Sequence, residues 1–374
     1  MRHQFWVTRA IGAGLAALLA YGPATAMAQK YGKPGEAVTL TVGYQPYYTQ
    51  SWSGVVINGL ELWKKRLPAG SKVEFQVGLQ GAVIVGQLLA DKQQIGYMGD
   101  MPSLVSTNRP EVADIRLVAV LGLSQQQCNI FLVRNDAPQF GSGLDALKWM
   151  GGKTVSSPHG SCTDRFARAV FAKNNVKPAD YLNQNIEVIT SNFKAGKLDA
   201  AVIWEPTASK LVLEGTARRV ASGIDFNEGD GGFLAFRQDL MAARPDIVRA
   251  WLEAELDAQL YLADPKNANQ IAAMAEAQTT GMGKRVLWYS LYGNYPKAAG
   301  GGPDKNILPF VFSPAAMTLV DDAHKFLFEM KRVSSAGIRQ GAIDDSIARE
   351  VLKARGLASP IGTVKALPDT AYQN

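Results

Sequence analysis

Two short stretches of this chain carry residue types able to hold a negatively charged group: Gly99-Asp100-Met101-Pro102-Ser103 and Pro158-His159-Gly160-Ser161-Cys162-Thr163. Each precedes a helical pattern. The first amides of a helix have no intrahelical acceptor, and aligned peptide dipoles leave positive partial charge there. Such a start favours an anion by about 0.3–1 kcal/mol, more when partly buried. Two of them facing one another would trap negative charge without any unpaired buried cation. Ser103 is the expected cap of the first helix. Asp100 is either part of that cap or, with Met101, a ligand contact. Ser157 lies just before the second stretch, within which Ser161, Cys162 and Thr163 bring hydroxyls, a sulfur and free amides to a helix start. His159, in the loop between, bonds either a ligand or the backbone.

A third group is aromatic. Tyr44 and Gln45 follow the first strand, and the loop to Trp52 adds Tyr47 and Tyr48. Rings are costly to leave in water. Either they staple the loop to its own helix, or Tyr47 or Tyr48 stacks on a planar ligand. Trp204-Glu205-Pro206 ends a later strand, which places Trp204 to close over a ligand. Glu205 repels an anion unless paired, with Arg165 as the candidate partner; otherwise it caps the helix after Pro206.

Motifs of catalysis and metal binding fail on inspection. Gly151-Gly152-Lys153-Thr154 has the end of a phosphate loop, but its earlier required glycine is Leu147. The stretch from Asp225 has Gly229 and Asp230 out of place for a calcium loop, and Phe236 replaces its final Glu. Neither H-E-x-x-H nor G-x-S-x-G occurs. No catalytic residue, metal or cofactor is therefore expected, and the chain is not expected to be an enzyme.

The elements that position these residues follow from hydrophobic periodicity. Strands are expected at Val38 to Val42, Val73 to Val77, Ile95 to Met98 and Ile115 to Leu121, with helices between them, one starting at Ser103. The pattern restarts with strands at Asn129 to Val133, Lys153 to Ser156, Ile186 to Ile189 and Ala200 to Trp204, and a helix from Asp164 to Lys173. A strand from Phe233 to Phe236 opens a mainly helical third section, with its longest helix from Pro245 to Leu262. Two α/β units of mostly parallel sheet are implied. The last helices pack back on the first, so the chain crosses twice, near Leu121 to Cys128 and near Ser222 to Gly232.

Arg2 and Arg9, the apolar run Ala10 to Ala20 and the small residues of Ala26-Met27-Ala28 read as a cleavable export signal over 1–28. The 374 residues less those 28 leave 346, more than one core usually supports. The net charge then falls from +6 to +4, because two arginines leave. That excess suits an anion, and it is too diffuse for nucleic acid. Cys128 and Cys162, 34 residues apart, either form a disulfide worth roughly 3–4 kcal/mol or remain two buried thiols.

Five segments resemble, in order and spacing, transporter binding proteins of the nitrate/sulfonate/taurine type. They are Thr41-Val42-Gly43-Tyr44-Gln45, Ile95 to Asp100, Gly152 to Ser161, Gly196-Lys197-Leu198-Asp199-Ala200 through Pro206, and Arg237 to Leu252. The resemblance covers roughly residues 38 to 335 and implies a two-lobed periplasmic binding protein, type II-like. Lobe 1 is then 29–122 plus 230–374, and lobe 2 is 123–229. A small anion would sit between them, contacted by Tyr44, Gln45, Tyr47, Tyr48, Asp100, Met101, Gln127, Ser157, His159, Ser161, Cys162, Thr163, Trp204 and Glu205. The implied protein is a periplasmic monomer without nucleic-acid partners that delivers its ligand to an ABC permease in the inner membrane. Departures lie in Gln125-Gln126-Gln127 and in the aromatic loop; its rings favour an organic anion, a sulfonate or a carboxylate, aromatic ones included. The alternatives are a ligand sensor or an enzyme. The fold also resembles that of a desulfinase with a cysteine nucleophile, and Cys162 follows His159 closely, though no third orienting group is evident.

Overall fold

The computed structural model describes residues 30–374. The export signal expected over 1–28 lies outside them. The first unit runs β1 (Thr39–Tyr44), α1 (Trp52–Gly59), β2 (Lys72–Val77), α2 (Gly81–Leu89), β3 (Ile95–Gly99), α3 (Asp100–Ser106) and β4 (Ile115–Ser124). The second begins with β5 (Ile130–Arg134), α4 (Gly143–Trp149), β6 (Thr154–Ser157), α5 (Cys162–Lys173) and β7 (Asp180–Asn183). It continues with α6 (Ile186–Lys194), β8 (Ala200–Ile203), α7 (Thr207–Leu213), β9 (Ala217–Ser222) and α8 (Gly223–Phe226). The third section holds β10 (Asp230–Arg237), α9 (Gln238–Ala243), α10 (Pro245–Ala263), α11 (Ala268–Ala277) and α12 (Lys284–Tyr292). It ends with β11 (Asp304–Leu308), α13 (Pro314–Glu329), α14 (Ser346–Ala354) and β12 (Gly362–Lys365).

These strands form two sheets, a seven-stranded one in the order β12-β11-β4-β10-β3-β1-β2 and a five-stranded one in the order β7-β6-β8-β5-β9. The chain passes from the first to the second between β4 and β5 and returns between β9 and β10. The two-lobed α/β architecture expected from the sequence is what the protein has.

The sheets themselves are mixed rather than mostly parallel. β1 runs parallel to β2 and β3, but β10 lies antiparallel between β3 and β4. In the second sheet β6 is parallel to β7 and β8, whereas β5 is antiparallel to β8 and β9. The reason is the double crossing. β4 leads out of the first sheet and β10 leads back in, so neighbours with that connectivity run in opposite directions.

Burial explains the strand compositions. Every residue of β3 is buried, so Ile-Gly-Tyr-Met-Gly needs no polar alternation. The edge strand β2 instead exposes Lys72 and Glu74, which discourages further pairing. One face of the seven-stranded sheet packs Leu40, Val42 and Tyr97 against Trp251, Leu252 and Trp288 from α10 and α12. The other packs Met98, Leu117 and Phe233 against Ile84, Met101 and Val320 from α2, α3 and α13. Helix α10 begins with Pro245 at its first turn and buries Ile247, Trp251, Leu252 and Leu256 on one stripe. Each such side chain is worth roughly 1.5–3 kcal/mol.

Some elements depart from expectation. Ile186 to Ile189 begins α6, because the Asn185 side chain accepts from the Val188 amide and caps a helix there. Helix α3 starts at Asp100, leaving Ser103 inside it, where its hydroxyl donates to the Met98 carbonyl at 3.3 Å. Strands β7, β9, β11 and β12 have no counterpart among the strands expected from periodicity. No described helix is long and apolar enough to cross a membrane.

Candidate functional site

A cavity of about 330 Å³ lies between the two units. The first unit gives it Gln45 and Tyr48 from the loop after β1, Gln80, Gly81 and Ala82 at the start of α2, and Gly99 and Pro102 around the start of α3. The second unit gives it Pro158, His159, Gly160, Ser161, Cys162 and Trp204. Leu327 and Arg332, from the end of α13, complete the wall.

The loop after β1 is held rigidly. Ser51 donates its hydroxyl to the Gln45 carbonyl at 2.6 Å, and the Trp52 indole N–H donates to the Pro46 carbonyl at 2.9 Å. Trp52 is thus a staple, not a ligand ring. The Tyr48 hydroxyl is held by Gln50 and by the Gly231 carbonyl at 3.2 Å. Its ring packs with Cys128, Cys162 and Trp204 of the second unit. The side-chain oxygen of Gln45 is buried with no hydrogen-bond partner among the described residues.

Two helix starts face this cavity, α2 from the first unit and α5 from the second. Neither is capped by a side chain: Gln80 makes no cap bond, and the Ser161 hydroxyl is turned away to the Pro158 carbonyl at 2.6 Å. The Val83 amide turns back to the Gln80 carbonyl at 3.0 Å, but the amides of Gly81 and Ala82 in α2, and of Cys162 and Thr163 in α5, keep their donors for something else. Gly81 permits the arrangement, since a Cβ there would sit 2.3 Å from the Pro102 side chain. Gly160, at φ +79°, turns the chain into α5.

The helix start expected from sequence, that of α3, is already occupied. The Asp100 carboxylate accepts the Met101 amide at 2.7 Å, and Arg165 donates to its other oxygen at 2.9 Å. Arg165 also donates to the Gly229 carbonyl at 2.7 Å. Burial raises the Asp100 carboxyl above its usual range against the pull of Arg165. Nearby Asp230 is pushed up to about 8, first by burial and then by the Asp100 charge. The Glu205–Arg165 pairing is not formed. Glu205 instead meets Arg219 at 3.3 Å and accepts the Ser209 amide at 2.8 Å, which makes it a cap of the helix after Pro206.

Six of the residues singled out in the sequence line the cavity: Gln45, Tyr48, His159, Ser161, Cys162 and Trp204. The others stand elsewhere. Tyr44 is a core ring set edge-on to Phe75 at 5.4 Å, and Met101 is wholly buried beside Leu104. The Tyr47 hydroxyl accepts the Thr280 amide at 2.6 Å, outside the cavity. Gln127 accepts from the Thr49 hydroxyl at 2.5 Å and donates to the Ser290 carbonyl at 3.4 Å. Ser157 and Thr163 hold each other, oxygen to oxygen, at 2.8 Å behind the wall. Asp100 and Glu205 are sealed in the ion pairs above. The sequence reading missed Gln80, Gly81, Ala82 and Arg332. The first three end a strand-to-helix turn of the kind used to find the other two stretches; Arg332 had no such signal.

His159 stacks on Tyr181 with ring centroids 4.8 Å apart, and its Nε2 is buried with no partner among the described residues. Burial depresses its pKa, and Arg332 and Arg168 add to the effect while Asp164 opposes it. The imidazole is neutral at neutral pH and can exchange one hydrogen bond with a ligand. Cys162 is joined to Cys128 in a disulfide with Cα atoms 6.2 Å apart. That settles the open choice of thiol states, and it removes the nucleophile on which a Cys162/His159 enzyme would depend.

A wider hollow of about 980 Å³ adjoins Ser124, Gln125, Gly229 and Asp230 at the crossings. Gln125, Ile224 and Gly229 line it from the second unit and its connections, and the remaining wall residues come from β4 and the third section.

A family model for the NMT1-like family matches residues 33–276. The chain belongs to the NMT1-like family. The putative aliphatic sulfonates-binding protein of Escherichia coli (strain K12) is 26% identical over 204 residues, 53% of this chain; the chain spans 59% of that relative's length. Among solved structures, the alkanesulfonate-binding protein SsuA from Xanthomonas axonopodis pv. citri, bound to MOPS, has a TM-score of 0.65 at 20% identity, covering 83% of this chain and 99% of that one. The periplasmic nitrate-binding protein NrtA from Synechocystis PCC 6803 has a TM-score of 0.67 at 13% identity, covering 85% and 89%. At such identities the likeness is one of fold, which the desulfurization enzyme DSZB shares at a TM-score of 0.58, 15% identity and coverage of 85% and 99%. The NMT1-like scaffold therefore does not by itself separate binding from catalysis.

Proposed function

We propose that this NMT1-like protein is the exported binding component of an ABC importer. It captures a small organic anion, a sulfonate or carboxylate, between its lobes and delivers it to a permease in the inner membrane. In this reading the signal over 1–28 sends it to the periplasm as a monomer, lobe 1 is 29–122 with 230–374, and lobe 2 is 123–229.

The observation that carries the proposal is the pair of uncapped helix starts, of α2 and α5, on one cavity. Amides at both ends hold negative charge, and contact with both lobes favours the closed form that a permease would recognise. The names of the relatives support an anion. The size of the cavity favours an organic one: about 330 Å³ is room for roughly ten waters, far more than nitrate fills. Val85, Pro102, Val105, Leu327 and Trp204 give it apolar walls for a carbon stem. Of the four rings that favoured an aromatic ligand, Tyr48 alone lines the cavity, so aliphatic and aromatic stems are both accommodated.

A thermal-shift screen of alkanesulfonates, taurine, aromatic carboxylates, nitrate and bicarbonate tests this. Stabilisation by an organic sulfonate or carboxylate is expected, and a micromolar ligand corresponds to about −8 kcal/mol. Stabilisation by the inorganic ions alone overturns the organic assignment.

A further inference from the structure

We propose that Arg332 is the residue that matches the charge of the ligand, an inference resting on the reading that the cavity takes an organic anion. Among the residues lining the cavity, Arg332 alone carries a permanent charge. The other ionised groups near the site are spoken for: Arg165 holds Asp100 at 2.9 Å, Arg219 holds Glu205 at 3.3 Å, and Arg168 holds Asp164 at 2.7 Å. Among the described residues Arg332 makes no ion pair. An arginine left without a carboxylate on an otherwise neutral wall presents a fork of donors shaped for a sulfonate or carboxylate.

Its backbone is fixed for the purpose. Helix α13 ends with the Lys331 amide donating to the Phe328 carbonyl at 2.9 Å and the Arg332 amide to the Leu327 carbonyl at 2.8 Å. That is a Schellman turn, which puts its middle residue in the left-handed region, normally a place for glycine. Here Lys331 occupies it at φ +56°. The next residue after Arg332, Val333, is buried, so the arginine stands between a helix end and a core anchor. Leu327, which accepts that turn's bond, lines the same cavity and lays apolar surface beside the charge. Across the cavity, His159 lines the wall from the second unit, with its Nε2 buried and without a partner among the described residues. An anion touching both would join α13 to the His159 loop and so draw the two units together.

Arg332 also lies beyond residues 33–276, the part of the chain that matches the family.

Calorimetric titration with benzenesulfonate and with its neutral isostere benzenesulfonamide tests the inference on the full mature protein. Wild type is expected to bind the sulfonate and to prefer it over the sulfonamide. Arg332→Gln should weaken the sulfonate roughly tenfold, leave the sulfonamide unchanged and flatten the dependence on salt, and Arg332→Lys should recover part of the loss. Arg332 is exposed, so the melting temperature of each variant serves as the folding control. If wild type prefers the sulfonate and Arg332→Gln binds it within about a factor of two, the role of Arg332 is overturned while the anion reading stands. If wild type binds both alike, or binds neither, the anion reading itself fails and takes Arg332 with it.

Discussion

Arg165 of α5 donates to Asp100 at the start of α3 across 2.9 Å, and the two side chains are only 6% and 0% exposed. This ion pair ties the second unit to the first directly behind the cavity. Parting the lobes would return both groups to water, so the pair stabilises closure only as far as its attraction exceeds the cost of desolvation. Losing one partner is another matter, since the survivor is left buried. Arg165→Met is expected to cost about 3–5 kcal/mol in the closed form. Denaturant unfolding checks this; a loss below about 1 kcal/mol would mean that water already reaches the pair.

Stability should fall as pH rises through neutrality. Asp230 keeps its proton up to about 8 in the folded protein. The unfolded chain gives that proton up near ~4. Between those values the folded state binds more protons, so this group's contribution is full below ~4 and is lost as pH approaches 8. Glu255, pushed up to about 7 by burial, acts in the same sense. Asp230→Asn should flatten the profile, removing up to about 1.4 kcal/mol per pH unit of slope. Melting curves across that range for wild type and variant decide it; parallel profiles would exclude Asp230 as the source.

The indole N–H of Trp204 donates to the Tyr47 carbonyl across 3.1 Å, from the second unit to the first. Trp204→Phe keeps a ring in the wall and deletes this bond. Ligand affinity should drop by about fivefold while unfolding shifts by no more than ~1 kcal/mol. Titration calorimetry reads the first and urea melts the second. Unchanged affinity would show that the bond makes no contribution to closure.

Reduction of Cys128–Cys162 should cost roughly 3–4 kcal/mol, since the bridge closes a 34-residue separation. Because Cys162 is the first residue of α5, affinity should fall with stability. Parallel titrations with and without reductant test this, and full affinity after reduction would show that α5 keeps its place unaided.

Local signals carried much of the fold. Pro245 and the apolar stripe behind it gave α10 nearly to the residue, and the restart of the β-α pattern after Cys128 marked the second unit. Errors came where two local readings compete. Ile186, Val188 and Ile189 are β-branched and apolar, yet Asn185 caps the stretch as a helix. For Asp100 the sequence leaves helix cap and ligand contact open, whereas the structure has it accept the Met101 amide and pair with the distant Arg165.

The order of residues alone determined two α/β units, two crossings and a helix following the stretch 158–163, because those depend on periodicity and on near neighbours. Only the tertiary structure decided which helix start opposes it, which rings face the cavity and which charges cancel. Gln80, Ser161, His159 and Arg332 line one cavity through packing between elements distant in the chain, and no spacing along the chain encodes that meeting.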